Sequence, residues 1–142
     1  MFRTVEQSIP AHLISGAPRP APMTVCLIYS AADPFAVRMA FPAAVALSGT
    51  EVTWTFARSL LDEGLRAAAG RGDVRIRPRD STRTLVELRS AEGTALLRFP
   101  TGRLRHFLLH AYAAVPAGTE SCAVDLDGGL SALLRGARDG QD

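Results

Sequence analysis

The chain has 142 residues, of which 47% are hydrophobic and 21% charged, a composition typical of one globular domain and too apolar for a disordered chain. Its 16 basic and 14 acidic residues leave a net charge of +2, which excludes a uniformly basic surface, so any basic patch must be local. Every one of these basic residues is an arginine, and the absence of lysine excludes a Walker A phosphate loop and Schiff-base chemistry.

The first half of the chain alternates apolar and polar residues with a period of two, which predicts strands. An early strand around residues 5–14 contains Pro10, which has no amide donor and is therefore expected at an edge or a bulge. Further strands are predicted around residues 24–30, 35–41 and 52–56. We assign the aromatic residues on their apolar phases to the core: Phe35, Phe41, Trp54 and Phe56.

The period then changes to helical spacing at Ala57, Leu60, Leu61, Gly64 and Leu65, which predicts a short helix packed on the sheet. A loop of small residues follows over 67–72. Three more strands are predicted at 74–78, 84–89 and 94–99. The stretch SAEG at residues 90–93 supplies the hairpin turn between the last two strands.

A longer helix is predicted from Thr101, with an apolar stripe at Leu104, Phe107, Leu108, Ala111 and Val115. Pro116 and Gly118 end this helix, and a short third helix is expected around residues 126–136, before a frayed tail at 137–142. The order is four strands and a helix, then three strands and a helix, then a short closing helix. This order predicts a single α+β domain over residues 1–142, in two similar halves with helices laid against antiparallel sheets.

The patterns typical of catalytic and metal sites are incomplete in this sequence. His106 and His110 have the i, i+4 spacing that lets two imidazoles reach one metal ion. The stretch HFLLH lacks the glutamate of an H-E-x-x-H motif, however, and both imidazoles are expected in solvent. Ser59 and Ser131 have no G-x-S-x-G elbow around them, so neither is predicted to be a nucleophile.

The acidic residues are equally poor candidates for chemistry. The stretch DLDGG at 125–129 begins like a calcium loop but lacks the later ligands, and Asp127 is explained equally well as a helix N-cap. Asp62 and Glu63 are adjacent and point in different directions on a helix, so they cannot serve one bond together. The RGD tripeptide at 71–73 is interpreted as chance. We predict no enzymatic activity, no metal and no cofactor.

Cys26 and Cys122 form no C-x-x-C motif, and two buried thiols are expected, with a disulfide as the alternative. The first residues lack the unbroken apolar run of a signal peptide. No segment approaches the roughly 20 apolar residues of a membrane span. We therefore expect a cytoplasmic location without membrane insertion.

The most basic stretch is GRGDVRIRPRD at residues 70–80, in which Arg75, Arg77 and Arg79 alternate with apolar residues. It could be a nucleic-acid surface, a docking site for a protein, or the solvated face of a strand. Three phosphate contacts on a single strand would give a log–log salt slope of only about −2, and the aromatic residues are assigned to the core rather than to base stacking. We predict that these three arginines contact a protein partner, and nucleic acid is the less favoured alternative.

Four segments, SAADPFAVRMAF (30–41), VTWTFARSLLDEGL (52–65), GDVRIRP (72–78) and VPAGTE (115–120), resemble the SsgA-like proteins of sporulating actinomycete bacteria. The second segment is the most specific, because it matches the family pattern W-x-F-A-R-x-L-L-x-x-G at Trp54, Phe56, Ala57, Arg58, Leu60, Leu61 and Gly64. The resemblance covers about residues 25–134. Residues 1–20 and 137–142 match nothing in the family.

The resemblance implies a regulator of sporulation-specific cell division without catalytic residues. Such proteins act at the septum, where they help to localise the tubulin-like division protein FtsZ or steer cell-wall remodelling. The resemblance also implies a fold like that of the whirly-type single-strand nucleic-acid binders, and a homotrimer. Single-strand nucleic-acid binding is therefore the alternative function to a protein adaptor, whose partner would be FtsZ, a related SsgA-like protein or a wall-synthesis protein.

Overall fold

The structure, a computed structural model, describes residues 3–15, 19–42 and 51–121. Within these ranges the elements follow the predicted order of four strands and a helix, then three strands and a helix. They are β1 Thr4–Leu13, β2 Ala21–Ser30, β3 Ala36–Phe41, β4 Val52–Ala57, α1 Arg58–Gly64, β5 Val74–Pro78, β6 Arg83–Ser90, β7 Gly93–Pro100 and α2 Thr101–Ala114. The predicted third helix, Ser131, Cys122 and the DLDGG stretch lie outside the described residues.

The strands form one seven-stranded sheet in the order β4-β3-β2-β1-β7-β6-β5, with antiparallel neighbours throughout. The α+β prediction is confirmed, and the two predicted halves join into a continuous sheet at a short seam between β1 and β7. The seam consists of the pairs His12↔Arg98 and Leu13↔Leu97 and of the hydrogen bond from Ile14 N to the Leu96 carbonyl, 2.8 Å long.

Strand β1 pairs with β2 along its whole length but reaches β7 only at its C-terminal end. The prediction that Pro10 places this strand at an edge or a bulge was wrong, because β1 is the central strand of the sheet and its register with β2 runs through Pro10 without a bulge. The proline is tolerated because the pairing with β7 does not reach it, so β2 is its one strand neighbour among the described strands. Helix α2 runs past this part of β1, and Arg103 Nη2 donates to the Ser8 carbonyl at 3.2 Å. β7 ends at Pro100 and α2 begins at Thr101, so the N-terminal part of β1 has no pairing with β7.

Both helices pack on one face of the sheet, which we call the inner face, and the buried side chains there form a single core. The predicted stripe of α2 is confirmed, since Leu104, Phe107 and Ala111 have no exposed surface. Helix α1 packs close to β5 at Gly64, where an added Cβ would collide with the Ile76 side chain. The strand residues of the core include Val25, Leu27, Val37, Met39, Val86, Leu97 and Phe99.

The four aromatic residues that were assigned to the core differ in their burial. Phe41 and Phe56 are buried as predicted, whereas Trp54 on the edge strand β4 is half-buried. The assignment of Phe35 to the core was wrong, because 51% of its surface is exposed. Phe35 lies in the turn before β3, held by the bond from Ala36 N to the Asp33 carbonyl, so the alternation of the strand does not extend to it.

The turn between β6 and β7 and the free edge of β5 each have a defined backbone arrangement. The predicted hairpin turn is confirmed between β6 and β7, where Ser90 pairs with Gly93 and Gly93 adopts a φ of 136°, a value that favours glycine. The free edge of β5 is covered at its centre, because Ala69 exchanges two backbone hydrogen bonds with Ile76.

None of the helices in the described ranges is long and apolar enough to cross a membrane.

Candidate functional site

The structure places the predicted arginines at the β5 end of the sheet. Arg75 and Arg77 alternate with the buried Val74 and Ile76, so they lie on the outer face, opposite the helices. Arg79 comes after the end of β5 and is exposed in the turn to β6, where its amide donates to the Arg83 carbonyl. The three arginines are therefore neighbours, but only two of them belong to the sheet surface.

The register of β5, β6 and β7 brings further residues beside them. One row across the strands is Arg75, Glu87 and Leu96, and the next row is Arg77, Leu85 and Arg98. Alternation along β6 places Arg83 and Arg89 on the same side. We call this surface the arginine face and define it by eight residues: Arg75, Arg77, Arg83, Leu85, Glu87, Arg89, Leu96 and Arg98.

The arginine face carries five positive charges and one negative charge. Glu87 holds two of the arginines, with Arg89 Nε at 2.9 Å and Arg77 Nη1 at 3.8 Å. The side chains of Arg77 and Arg89 remain 40% and 47% exposed, so these pairs contribute only about 0–1 kcal/mol each to stability. One carboxylate cannot neutralise this surface.

Two donors on this face lack an acceptor within the described part of the chain. They are the Nε atoms of Arg75 and Arg98, both of which are buried. An unsatisfied buried donor costs about 1–3 kcal/mol. Neither Arg75 nor Arg98 forms an ion pair with a described residue, so both guanidinium groups lack an anionic partner within that part of the chain.

The turn at one end of the arginine face is held by a carboxylate. Asp80 Oδ1 accepts from Thr82 N at 2.8 Å, from Arg83 N at 2.9 Å and from the Thr82 hydroxyl at 3.0 Å. The backbone and hydroxyl donors of Thr82 hold the pKa of Asp80 below its ordinary value. Arg79 and Arg83 are therefore presented by an ordered turn.

A second polar centre lies in the core and was missed by the sequence analysis. Arg58, the first residue of α1, has only 1% of its surface exposed. Its Nη1 donates to the Val115 carbonyl at 2.7 Å, the Tyr29 hydroxyl at 3.0 Å and the Ala111 carbonyl at 3.1 Å, and its Nη2 donates to Glu120 Oε2 at 3.0 Å. We call these five residues, together with Tyr112, the Arg58 cluster.

The position of Arg58 follows from the way the chain folds locally. Strand β4 passes directly into α1, and Arg58 N donates to the Phe35 carbonyl at 2.7 Å at the junction. The side chain then reaches the C-terminal end of α2, where the Val115 carbonyl and the helix dipole favour a cation. The guanidinium carbon lies 4.2 Å from the ring centre of Tyr112 and 4.9 Å from that of Tyr29.

The groups around Arg58 are themselves tied to other elements. The Tyr29 hydroxyl donates to the Pro34 carbonyl at 3.0 Å, and the Tyr112 hydroxyl donates to Asp62 Oδ2 at 2.9 Å. Burial and the hydrogen bond to Asp62 raise the pKa of Tyr112 to about 12. The pKa of Glu120 is lowered by its own backbone amide and by Arg58.

The sequence did contain a signal for this centre. Arg58, Leu61 and Leu65 have helical spacing, so the arginine lies on the same face of α1 as two buried leucines. A charged residue on an apolar stripe indicates either a buried, paired group or a boundary of the helix. The partners Glu120 and Val115 lie some sixty residues away and could not be identified from spacing.

The remaining candidates stay apart from both centres. His106 and His110 are exposed on α2 with their Nε2 atoms 3.1 Å apart, and the described residues contain no group of three or more residues that could hold a metal ion. Ser59 is exposed. Cys26 was expected to be buried but is half-buried, and it forms no disulfide with a described residue. Its Sγ lies 3.6 Å from Glu6 Oε1, and burial and this carboxylate raise its pKa.

Comparison with known proteins identifies the family that shares this sequence and architecture. Residues 23–120 match the family model described as the Streptomyces sporulation and cell division protein SsgA. The chain belongs to the SsgA family. The sequence resemblance to SsgA-like proteins is thereby confirmed.

Relatives of known name match over nearly the whole chain. The sporulation-specific cell division protein SsgB of Streptomyces coelicolor is 40% identical over 139 residues, which cover 94% of this chain and 98% of that protein. The SsgB protein of Frankia casuarinae is 38% identical over 136 residues, 94% of this chain and 92% of that protein.

Solved structures share the fold. The crystal structure of the SsgA-like sporulation-specific cell division protein from Thermobifida fusca has a TM-score of 0.81 at 33% identity, covering 91% of this chain and 94% of that chain. A structure of SsgB, described with mutations that correlate to longitudinal cell division during sporulation of Streptomyces coelicolor, has a TM-score of 0.78 at 38% identity. It covers 87% of this chain and 97% of that chain.

Three of the four family segments meet at the Arg58 cluster. The 30–41 segment supplies the Pro34 carbonyl, the 52–65 segment supplies Arg58, and the 115–120 segment supplies Val115 and Glu120. The fourth segment contains Ile76, against which Gly64 packs. The residues of the family pattern thus build the scaffold.

Proposed function

We propose that this protein is a non-enzymatic regulator of sporulation-specific cell division, recruited from the cytoplasm to the septum as an adaptor for division or cell-wall proteins. The observation that carries the proposal is the match, over nearly their whole length, to relatives named sporulation-specific cell division proteins. The polar residue that the family pattern marks, Arg58, is used in a buried cluster that holds several elements together.

In this proposal the contact with a partner is made by Arg75, Arg77 and Arg79, extended by the rest of the arginine face. Arginine is well suited to such a surface, because its planar guanidinium binds carboxylates through two parallel hydrogen bonds. We also propose that the protein assembles as a homotrimer, as the family resemblance implies. The partner would be an FtsZ-type protein, a related SsgA-like protein, or a protein of wall synthesis or hydrolysis.

The alternative of single-strand nucleic-acid binding receives less support from the geometry. Binders of single strands combine a basic groove with aromatic side chains on which the bases stack. None of the eight residues of the arginine face is aromatic, and leucines stand between the arginines. The exposed Phe35 lies at the other half of the sheet, in the turn before β3.

The proposal is tested by localisation and deletion in the sporulating host. A fluorescent fusion should accumulate at sporulation septa, and deletion of the protein should disturb their number or position. A matched strain that expresses the fusion during vegetative growth provides the control for septal specificity. A fusion that stays diffuse throughout septation, with normal septa in the deletion strain, would contradict the proposed function.

A further inference from the structure

We infer that the arginine face binds an extended acidic segment of a protein partner, one that carries apolar residues between its carboxylates. The inference rests on the proposed adaptor function and names the chemistry of the partner at that site. It extends the predicted contact from Arg75, Arg77 and Arg79 to the strands β6 and β7.

The charge of this face is the first argument. The whole chain has a net charge of +2, whereas these eight residues alone carry five arginines and one glutamate. Glu87 is the acidic partner of the ion pairs that the structure describes on this face, and it already bridges Arg77 and Arg89. Charge complementarity therefore requires carboxylates or other anions from outside the face.

The unsatisfied donors are the second argument. The Nε atoms of Arg75 and Arg98 have no acceptor among the described residues. Because both Nε atoms are shielded from solvent, an incoming carboxylate reaches them only when the Arg75 or Arg98 side chain rotates outward, and it then binds Nε and one terminal nitrogen side-on. The two arginines lie in neighbouring rows of the sheet, and a peptide crossing the rows could engage both.

The leucines of the arginine face favour an acidic peptide over a nucleic acid as the bound polyanion. Leu96 ends the row that begins with Arg75, and Leu85 stands between Arg77 and Arg98. Both leucines are half-buried on a face that lies away from the core helices. Leucine beside arginine suits a peptide in which acidic and apolar side chains alternate, whereas stacked bases require aromatic platforms.

The geometry of the sheet determines how such a segment would lie. It could not simply extend the sheet beyond β5, because Ala69 already holds both backbone groups of Ile76 at that edge. The segment would instead cross the outer face of β5, β6 and β7. These strands are paired along most of their length, so the surface is rigid before binding and little ordering is needed.

Fluorescence anisotropy of the full-length protein with a labelled synthetic peptide of alternating glutamate and leucine tests the inference. Two comparison probes are the same peptide with glutamine in place of glutamate and a single-stranded oligothymidylate of equal length. We expect the acidic peptide to bind at least tenfold more tightly than either probe and to weaken as salt is raised. Equal binding of the glutamine peptide, or tighter binding of the oligonucleotide, would overturn the inference.

Two variants with opposite expected effects locate the contact. Arg77→Ser combined with Arg89→Ser should weaken peptide binding at least tenfold, while Glu87→Gln should tighten it several-fold by releasing the same two arginines. The control is Arg66→Ser with Arg105→Ser, an equal loss of charge at two exposed positions, one just after the end of α1 and one on α2. If the control weakens binding as much as the first variant does, or if Glu87→Gln weakens it, the peptide does not bind this face.

The same variants separate this inference from the proposed function. A protein that reaches the septum normally with Arg77→Ser and Arg89→Ser would leave the adaptor function in place and contradict the role of the face. A protein that binds the acidic peptide as described but never reaches the septum would support the role of the face and contradict the adaptor function.

Discussion

Replacing Arg58 with alanine is expected to destabilise the fold by about 3–5 kcal/mol, because it leaves a cavity in the core and deprives the Val115 carbonyl of its donor. Arg58 donates hydrogen bonds to Tyr29, Ala111, Val115 and Glu120. Hydrogen bonds to a charged group each contribute about 1.5–3 kcal/mol. The gross sum is larger than the expected effect, because removing the guanidinium also removes its desolvation cost and its own unsatisfied Nε.

The hydrogen-bond partners of Arg58 contribute unequally to the loss of stability in Arg58→Ala. The Glu120 side chain is 19% exposed and can be rehydrated, so its share of the loss is small. The Ala111 carbonyl keeps the hydrogen bond from Val115 N at 3.0 Å, whereas the Val115 carbonyl loses its donor and faces the cavity that the missing side chain leaves, so these two effects account for most of the loss. For a domain with a typical stability of about 5–15 kcal/mol, this loss is about a fifth of the total or more.

Urea denaturation followed by tryptophan fluorescence measures this effect, since Trp54 is the sole tryptophan of the chain and lies four residues before Arg58. The matched control is Arg66→Ala on the same side of the molecule, where an exposed pair with Asp62 should contribute less than about 1 kcal/mol. The reasoning is refuted if Arg58→Ala costs less than about 1 kcal/mol, or if Arg66→Ala costs as much as Arg58→Ala.

The pH dependence of stability gives a second test of the same cluster. The pKa of Glu120 is lowered in the folded state, so its contribution is present above the ordinary value of 4.5 and is lost as pH falls through the folded value. Acidification through this window should therefore destabilise the wild type more than Glu120→Gln. Parallel stability curves for the two proteins would show that the Arg58–Glu120 pair does not contribute.

Three further predictions concern other features. Gly64→Ala should cost about 1–3 kcal/mol in a thermal or urea melt, because its Cβ would collide with Ile76, whereas Gly102→Ala, which meets open space on α2, should be neutral or slightly stabilising; equal effects would contradict this packing. Ultraviolet titration of the native protein should show one tyrosine ionising at about pH 12, and this step should disappear in Tyr112→Phe; a step near pH 10 that vanishes in that variant would contradict its burial. Light scattering should give about three times the chain mass of 15.1 kDa, and a mass near 15.1 kDa would contradict the trimer.

The sequence predicted the elements well, because a period of two or of 3.6 is a local property that a few neighbouring residues determine. It did not predict the exposure of Phe35, since the alternation of β3 was extended by one residue into a turn whose hydrogen bonds fix the backbone independently. Arg75 and Arg77 were identified from their alternation with Val74 and Ile76. Their neighbours Glu87 and Arg98 come from the pairing register, which the local pattern does not contain.

Arg58 illustrates the same limit in the core. Its helical phase was visible in the sequence. A buried arginine is tolerated only when hydrogen-bonding partners surround it, and the local pattern does not identify those partners. Those partners are a tyrosine from β2 and the residues that follow α2, which the chain brings together only in three dimensions. The family pattern marked the residue without revealing its role.

The position of the Arg58 partners has a consequence for the order in which the chain is made. Arg58 leaves the ribosome long before Val115 and Glu120, so a nascent chain that ends before residue 115 holds an arginine whose main acceptors do not yet exist. Burying it then would leave an unpaired charge in the core. Premature termination products should therefore fail to complete the fold and remain open to proteases, so that only nearly complete chains persist in the cell.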